Sequence, residues 1–206
     1  MKNVQEYLNL RGYNLKVDGI IGEQTLQAAN KWVQNYFTTK RWIWTPKALV
    51  YVRTDNKLTN TYDDFVLVIR NEKVEMIAPC TTTAGKFYVQ NPITYGGVTG
   101  TAIAIPGQYL WSHKFVTSSN WKSLWLGMPY FQQVKPIDIF RDGNKDGIID
   151  EKIKVNGIFG INLHRGGFGS LIDRWSAGCQ TIPDEYWKKI IPLFTNGEQI
   201  HFNLIG

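Results

Sequence analysis

A change of hydrophobic period near residue 47 constrains this chain more than any of its totals. Val4, Tyr7 and Leu8 recur at helical spacing, as do Leu26, Ala29, Val33 and Tyr36, so residues 3–11 and 24–37 read as two helices. Between them Val17-Asp18-Gly19-Ile20-Ile21-Gly22 offers two glycines for tight backbone positions, and Thr25 stands near the start of the second helix. Such a hairpin has too little mass to be very stable alone. Residues 38–47 read as a linker, in which Pro46 lacks an amide donor and discourages a helix running through. From residue 48 the pattern turns to strands, at 48–53, 65–70, 74–78, 101–105, 137–140, 159–163 and 199–204, with Asn71-Glu72-Lys73 turning the second into the third. A glycine-rich loop covers 95–100, and 184–191 is the one good helix of this part. The expected fold class is α+β: a small helical module at 1–37, a linker, and a mostly β domain over 48–206.

Hydrophobic residues make up 43% of the chain and charged residues 19%, a globular balance that argues against disorder. The net charge of +6 suits an anionic partner, but it is scattered. The densest basic cluster is Lys40-Arg41 with Lys47 nearby, which is no footprint for nucleic acid. Two cysteines, Cys80 and Cys179, are too few for a disulfide scaffold. The first residues lack the apolar stretch of a signal peptide, and no run reaches the length of a membrane span. The expectation is a chain made in the cytoplasm, with no membrane insertion, that something else must deliver to any substrate outside.

The stretch that carries chemistry is Gly160-Ile161-Asn162-Leu163-His164-Arg165-Gly166-Gly167, followed by Arg174-Trp175-Ser176-Ala177-Gly178-Cys179-Gln180. A thiol attacks a carbonyl as thiolate, and a neighbouring imidazole generates it. A cysteine on a glycine-containing turn can stand at a cleft while the turn aims amides at an oxyanion, each worth roughly 2.7–4 kcal/mol where measured. Cys179 is the candidate nucleophile and His164 its base. Gly178 and Cys179 are the candidate amide donors, and Ser176 a hydrogen-bonding member of the turn. His164 needs a third group to fix its tautomer, and the sequence does not name one. Arg165, Trp175, Tyr109, Trp111 and His113 are candidates for lining the substrate groove, as is Tyr88. His201 and Cys80 read as packed residues. A papain-like protease is disfavoured because here the His precedes the Cys.

At His164, Ser176, Gly178 and Cys179 the sequence resembles the L,D-transpeptidase catalytic domain, whose pattern is a His, a spacer and then Ser-His-Gly-Cys with an Arg two residues on. The resemblance covers residue 48 to the end. It implies a β-rich fold and a thioester between the cysteine and a peptidoglycan stem peptide, which passes to an amine or to water. Ala177 stands where the family has a second His, and Thr181 where it has Arg. The N-terminal hairpin resembles the peptidoglycan-binding-domain-1 repeat at Val4, Gln5, Leu8, Gly12, Tyr13, Val17, Asp18, Gly19, Gly22, Thr25, Ala28 and Ala29. That resemblance implies wall contact through Asp18, Gly19, Gly22 and Thr25. Together the two imply a peptidoglycan-acting enzyme, of a kind that a phage endolysin or a virion can carry to the periplasm or wall. The alternative is a non-catalytic wall-binding or virion structural protein that kept the fold. Neither requires a cofactor.

Asp142-Gly143-Asn144-Lys145-Asp146-Gly147-Ile148-Ile149-Asp150 matches the first nine positions of an EF-hand-like loop. Oxygens from Asp142, Asn144, Asp146, the Ile148 carbonyl and Asp150 are candidate ligands for a structural calcium, with Gly147 taking the sharp turn. The twelfth position is Ile153, so the bidentate ligand must come from elsewhere, and Glu151 is a substitute. A polar turn rich in Asp, Asn and Gly is the competing reading.

Overall fold

The first two strands are apolar at nearly every position because both of their faces are covered. The computed structural model describes residues 1–94, 99–117 and 129–206, so positions 95–98 of the expected glycine-rich loop lie outside the described residues. β1 (Lys47–Val52) and β2 (Asp64–Arg70) pair antiparallel. Leu49, Tyr51, Val66 and Val68 join one hydrophobic cluster, while Ala48, Val50, Val52, Phe65, Leu67 and Ile69 join another. A period of two thus sends alternate side chains into two different cores. β3 (Lys73–Cys80) follows through Asn71 and Glu72, whose φ angles of 50° and 64° suit the primed two-residue turns of hairpins.

The remaining elements in chain order are α3 (Lys86–Gln90), β4 (Thr101–Ala104), β5 (Gly107–Val116), β6 (Tyr130–Gln133), β7 (Ile137–Asp142), β8 (Val155–Gly157), β9 (Leu163–Arg165), β10 (Gln180–Ile182), α4 (Asp184–Ile190) and β11 (Gln199–Ile205). Eight strands form one mixed sheet in the order β10-β9-β6-β5-β11-β1-β2-β3, and β4-β7-β8 form a second, smaller one. The β1/β11 and β9/β10 pairs are parallel. Thr81 and Thr181 exchange backbone hydrogen bonds of 2.9 and 3.1 Å. These bonds tie the end of one edge strand to the other, so the large sheet curls until its edges meet.

One core lies within this curl, with Phe115, Phe131, Leu163, Trp187 and Phe202 among its fully or nearly fully buried members. The other lies outside, beneath α1 (Lys2–Asn9) and α2 (Glu23–Lys40). Val4, Leu8, Ala29, Val33 and Phe37 form the apolar stripe that covers Val50, Leu67 and Ile69. Each such side chain contributes roughly 1.5–3 kcal/mol when fully buried. The hairpin therefore shares its core with the sheet. α2 continues to Lys40 and stops at Arg41 in the left-handed region (φ 56°), so the start of the expected linker is helical. Gln108 grips the rest, accepting from the Ile43 amide (2.8 Å) and donating to its carbonyl (2.9 Å).

The expected strand at 159–163 is corrected to β9, which starts only at Leu163. Gly160 takes φ +75°, and the amides of Phe159 and Ile161 both donate to the Gln133 side-chain oxygen (3.0 Å each) rather than to a ladder. Cys179 leads into β10, and the helix begins later, at Asp184. No helix among the described residues is long and apolar enough to cross a membrane.

Candidate active site

β9 and β10 run parallel with His164 opposite Thr181, and Cys179 stands two residues before Thr181 on the same face. The Gln180 amide donates to the Asn162 carbonyl (3.0 Å), carrying the pairing one step back toward the cysteine. Cys179 Sγ accepts from the Asn162 amide at 3.4 Å and lies 3.5 Å from the Gly160 carbonyl, to which its thiol can donate. Asn162 is itself fixed, its side-chain oxygen accepting from the Gln133 amide (3.0 Å).

Ser176 shapes the turn. Its Oγ lies 2.7 Å from the Cys179 carbonyl and 3.0 Å from the Thr83 carbonyl, with one proton for the two, and it accepts from the Gly178 amide at 3.1 Å. This corrects the expectation that Gly178 lends its amide to an oxyanion, because that amide is already held by Ser176. Gly178 has a different necessity. Its φ is +128°, and a Cβ there would meet the Ala102 carbonyl oxygen at 2.5 Å.

His164 is 3% exposed, and its Nδ1 lies 2.6 Å from the Arg165 carbonyl. A carbonyl only accepts, so Nδ1 carries the proton and Nε2 keeps the lone pair. Burial pushes the imidazole down to about 4 against the favourable Arg165 carbonyl bond, so the ring is neutral at pH 7. The third group that the sequence left unnamed is thus a main-chain carbonyl. The Arg165 side chain turns away to Asp184 (3.2 Å) and lies between the rings of Phe168 and Trp175, at 5.4 and 5.2 Å.

No family model matches the sequence, and no curated protein matches it. Among solved structures the chain is similar to the Ldtfm–avibactam carbamoyl enzyme, at 12% identity and a TM-score of 0.32 over 79% of this chain and 50% of that one. It thus spans half the length of that structure's chain. It is also similar to an L,D-transpeptidase from Xylanimonas cellulosilytica DSM 15894, at 13% identity and a TM-score of 0.32 over 97% of this chain and 92% of that one. Neither likeness is close enough to assign chemistry.

The fold sets Cys179 just ahead of β10, diagonal to His164 on β9, with Ser176 and Gly178 in its own turn and Trp175 against Arg165; Cys179 and His164 do not line the two clefts nearby. Trp175 and Arg174 border a cleft of about 490 Å³ with Lys86, Phe87 and Asp173, and a second of about 430 Å³ runs past Tyr62, Phe168 and Asp184. Tyr109 and Trp111 are engaged elsewhere. Tyr109 stacks on Phe202 and donates to the Ile105 carbonyl (2.7 Å), while Trp111, half exposed, packs on the His201 ring at 4.1 Å. Tyr88 belongs to α3 and meets the Phe87 ring edge-on. His113 is fully buried behind the site, its Nε2 2.8 Å from the Ile161 carbonyl, and burial pushes it down to about 4. It holds the 160–162 segment that touches the sulfur. Cys80 is buried in the core and no disulfide joins it to Cys179.

Sequence reasoning missed Asn162, Gln133 and Thr83 as site supports. Asn162 had a signal, since it alternates with His164 and so shares its face. At the hairpin, Asp18 Oδ1 accepts from Ile20 and Gln5, and Gln5 in turn accepts from the Gly19 amide (2.7 Å). Gly22 caps α2, and Thr25 is buried. A cleft of about 310 Å³ opens beside Asp18, Ile20 and Thr25.

Proposed function

We propose that this chain is a peptidoglycan-acting cysteine enzyme that forms a thioester between Cys179 and the stem peptide. The observation that carries the reading is the placement of His164, its Nδ1 proton committed to the Arg165 carbonyl so that Nε2 keeps a lone pair, on the strand paired in register with the one that Cys179 enters. In this reading Nε2 takes the proton from Sγ, and the thiolate attacks the substrate carbonyl carbon. The Cys179 amide donates to the developing oxyanion. The tetrahedral intermediate collapses, the C–N bond breaks, and the leaving amine receives the proton from the imidazolium. An incoming amine or water then displaces the sulfur, which gives cross-linking or hydrolysis. Lys86 and Arg174, on the cleft beside Trp175, offer positive charge to the carboxylates of a stem peptide.

The substrate class rests on the Ser176-Ala177-Gly178-Cys179 resemblance and on the wall-repeat resemblance of the hairpin. In that reading the cleft beside Asp18 and Thr25 meets the wall, and delivery is that of an endolysin or virion enzyme. A second reading, a wall-binding protein that kept the fold without catalysis, draws on the thiol's approach to the Gly160 carbonyl, which favours the protonated sulfur. Purified sacculi incubated with wild type and Cys179→Ala separate the two by mass spectrometry of the soluble and digested muropeptides. Altered stem peptides in the wild-type sample alone are expected. Identical profiles contradict the enzyme.

A further inference from the structure

We infer that the loop from Asp142 to Glu151 is a calcium site with a buried floor of Asp142 and Glu151 and an exposed rim of Asn144, Asp146 and the Ile148 carbonyl. Three carboxylate oxygens of this loop lack a close hydrogen bond. Asp142 is wholly buried, and its Oδ1 has no hydrogen-bond partner. Both carboxylate oxygens of Glu151 are likewise out of water, with no close hydrogen bond beyond the pull of the Asp150 and Glu151 amides. The other buried side-chain atoms in this condition among the described residues, such as Tyr51 Oη and Thr181 Oγ1, belong to neutral groups. An orphaned neutral group costs about 1–3 kcal/mol and a buried carboxylate more. Two such carboxylates within one ten-residue loop compound the cost. No Lys or Arg among the described residues forms an ion pair with either. A cation supplied from outside answers both the charge and the orphaned oxygens.

The chain is shaped to hold one. Gly147 turns at φ 72° and Lys145 at φ 62°, and the Gly147 amide donates to Asp142 Oδ2 (3.2 Å), which curls the loop around the side chain. Ile153, at the position where such loops carry a bidentate Glu, is 80% exposed and apolar. Glu151 takes over that role from two residues earlier. Among the described residues no three Asp, Glu, His or Cys side chains form a ready cluster. The set here mixes two buried carboxylates with amide and main-chain oxygens, which calcium accepts and the stricter octahedron of magnesium does not. Asn144 and Asp146 bond each other (2.8 Å), and their side-chain oxygens accept from the Asp146 (3.3 Å) and Ile148 (2.8 Å) amides; both are exposed, so turning them inward exchanges these bonds for the cation. Asp150 is exposed on the outer side and completes the rim.

The site has a structural consequence. Leu58 donates to the Gly147 carbonyl and Ile149 to the Asn56 carbonyl, while Asn60 in the same segment accepts from the amides of Lys86 and Asp173. Closing the loop on a cation therefore firms the segment that holds two walls of the cleft beside Trp175.

The test uses the full chain, stripped with a chelator. Its thermal midpoint is followed against CaCl2, MgCl2 and NaCl at equal ionic strength, with calorimetric titration of CaCl2 alongside. Calcium at about a hundred times its dissociation constant should raise the midpoint by about 5 °C or more. Magnesium should do much less and NaCl nothing. Glu151→Gln should abolish the calcium shift while melting, without metal, no lower than stripped wild type, because it removes an orphaned charge. Asp146→Ala should weaken calcium binding about tenfold and leave the stripped midpoint within about 2 °C. Absence of a calcium response in wild type, or an undiminished one in Glu151→Gln, overturns the site. A stripped protein that gains stability on mild acidification yet ignores calcium shows a shared proton instead, and overturns it equally.

Discussion

The turn around Cys179 and the loop from Asp142 to Glu151 flank the same strand, β4, and treat their polar groups in opposite ways. Gly178 packs on the Ala102 carbonyl, and the neighbouring Thr101 pairs with Asp142. In the turn, Ser176 engages the Gly178 amide and two carbonyls, Asn162 reaches the sulfur, and the His164 proton has its acceptor. In the loop, three carboxylate oxygens are buried with no close hydrogen bond. The contrast teaches that the turn is satisfied by its own chain, as the proposed chemistry on an incoming carbonyl requires. The loop keeps carboxylate oxygens that its own chain leaves without a close hydrogen bond, which the proposed cation would satisfy.

Acid separates the two most strongly, because they respond with opposite signs. His113 and His164 are held near 4 when folded against an ordinary value of 6.5. Between those values the unfolded chain binds more protons, so stability falls as pH drops from about 6.5 through about 4, by roughly 3 kcal/mol per histidine in the limit. Asp142 and Glu151 are raised by burial, so the folded chain binds more protons there and acid relieves them. Thermal midpoints of the metal-free protein from pH 7 to 4 should show a net decline. His113→Gln should flatten it and Glu151→Gln should steepen it. A decline unchanged by both variants would break the comparison.

A smaller effect sharpens the preorganised half. Gly178→Ala must strain a φ of +128° and push into the Ala102 carbonyl, so it should cost about 2–4 kcal/mol and lower the midpoint by roughly 5–10 °C. The calcium response should be retained, because the turn and the loop share a strand and no side chain. Loss of both together would mean that the two regions form one cooperative unit.

The sequence announced some of this and concealed the rest for definable reasons. His164 and Cys179 stood out in the sequence because the first closes an apolar run and the second sits on a glycine-containing turn, and the fold sets them on β9 and just ahead of β10. The helical hairpin was legible from its 3.6 period. Its docking on the sheet was not, although the unbroken apolar run from Phe65 to Ile69 already implied a strand covered on both faces. β5 was hidden because its buried positions include Ser112 and His113, and because Trp111 at φ 53° faces a register shift in β11 that breaks the alternation. Gln133 reaches the site from β6, far along the chain, where no local pattern marks it. The loop at 142–150 was visible as a motif, but that the Glu151 carboxylate oxygens lie out of water emerges only from packing.

The rate at which iodoacetamide alkylates Cys179 at pH 7, followed by peptide mass spectrometry in wild type and His164→Gln, addresses the central claim most directly. An imidazole that takes the thiol proton as the sulfur attacks predicts labelling of wild type that falls by about tenfold or more in the variant, with both proteins folded. Equal rates in the two, or a wild-type Cys179 that resists the reagent, would contradict it.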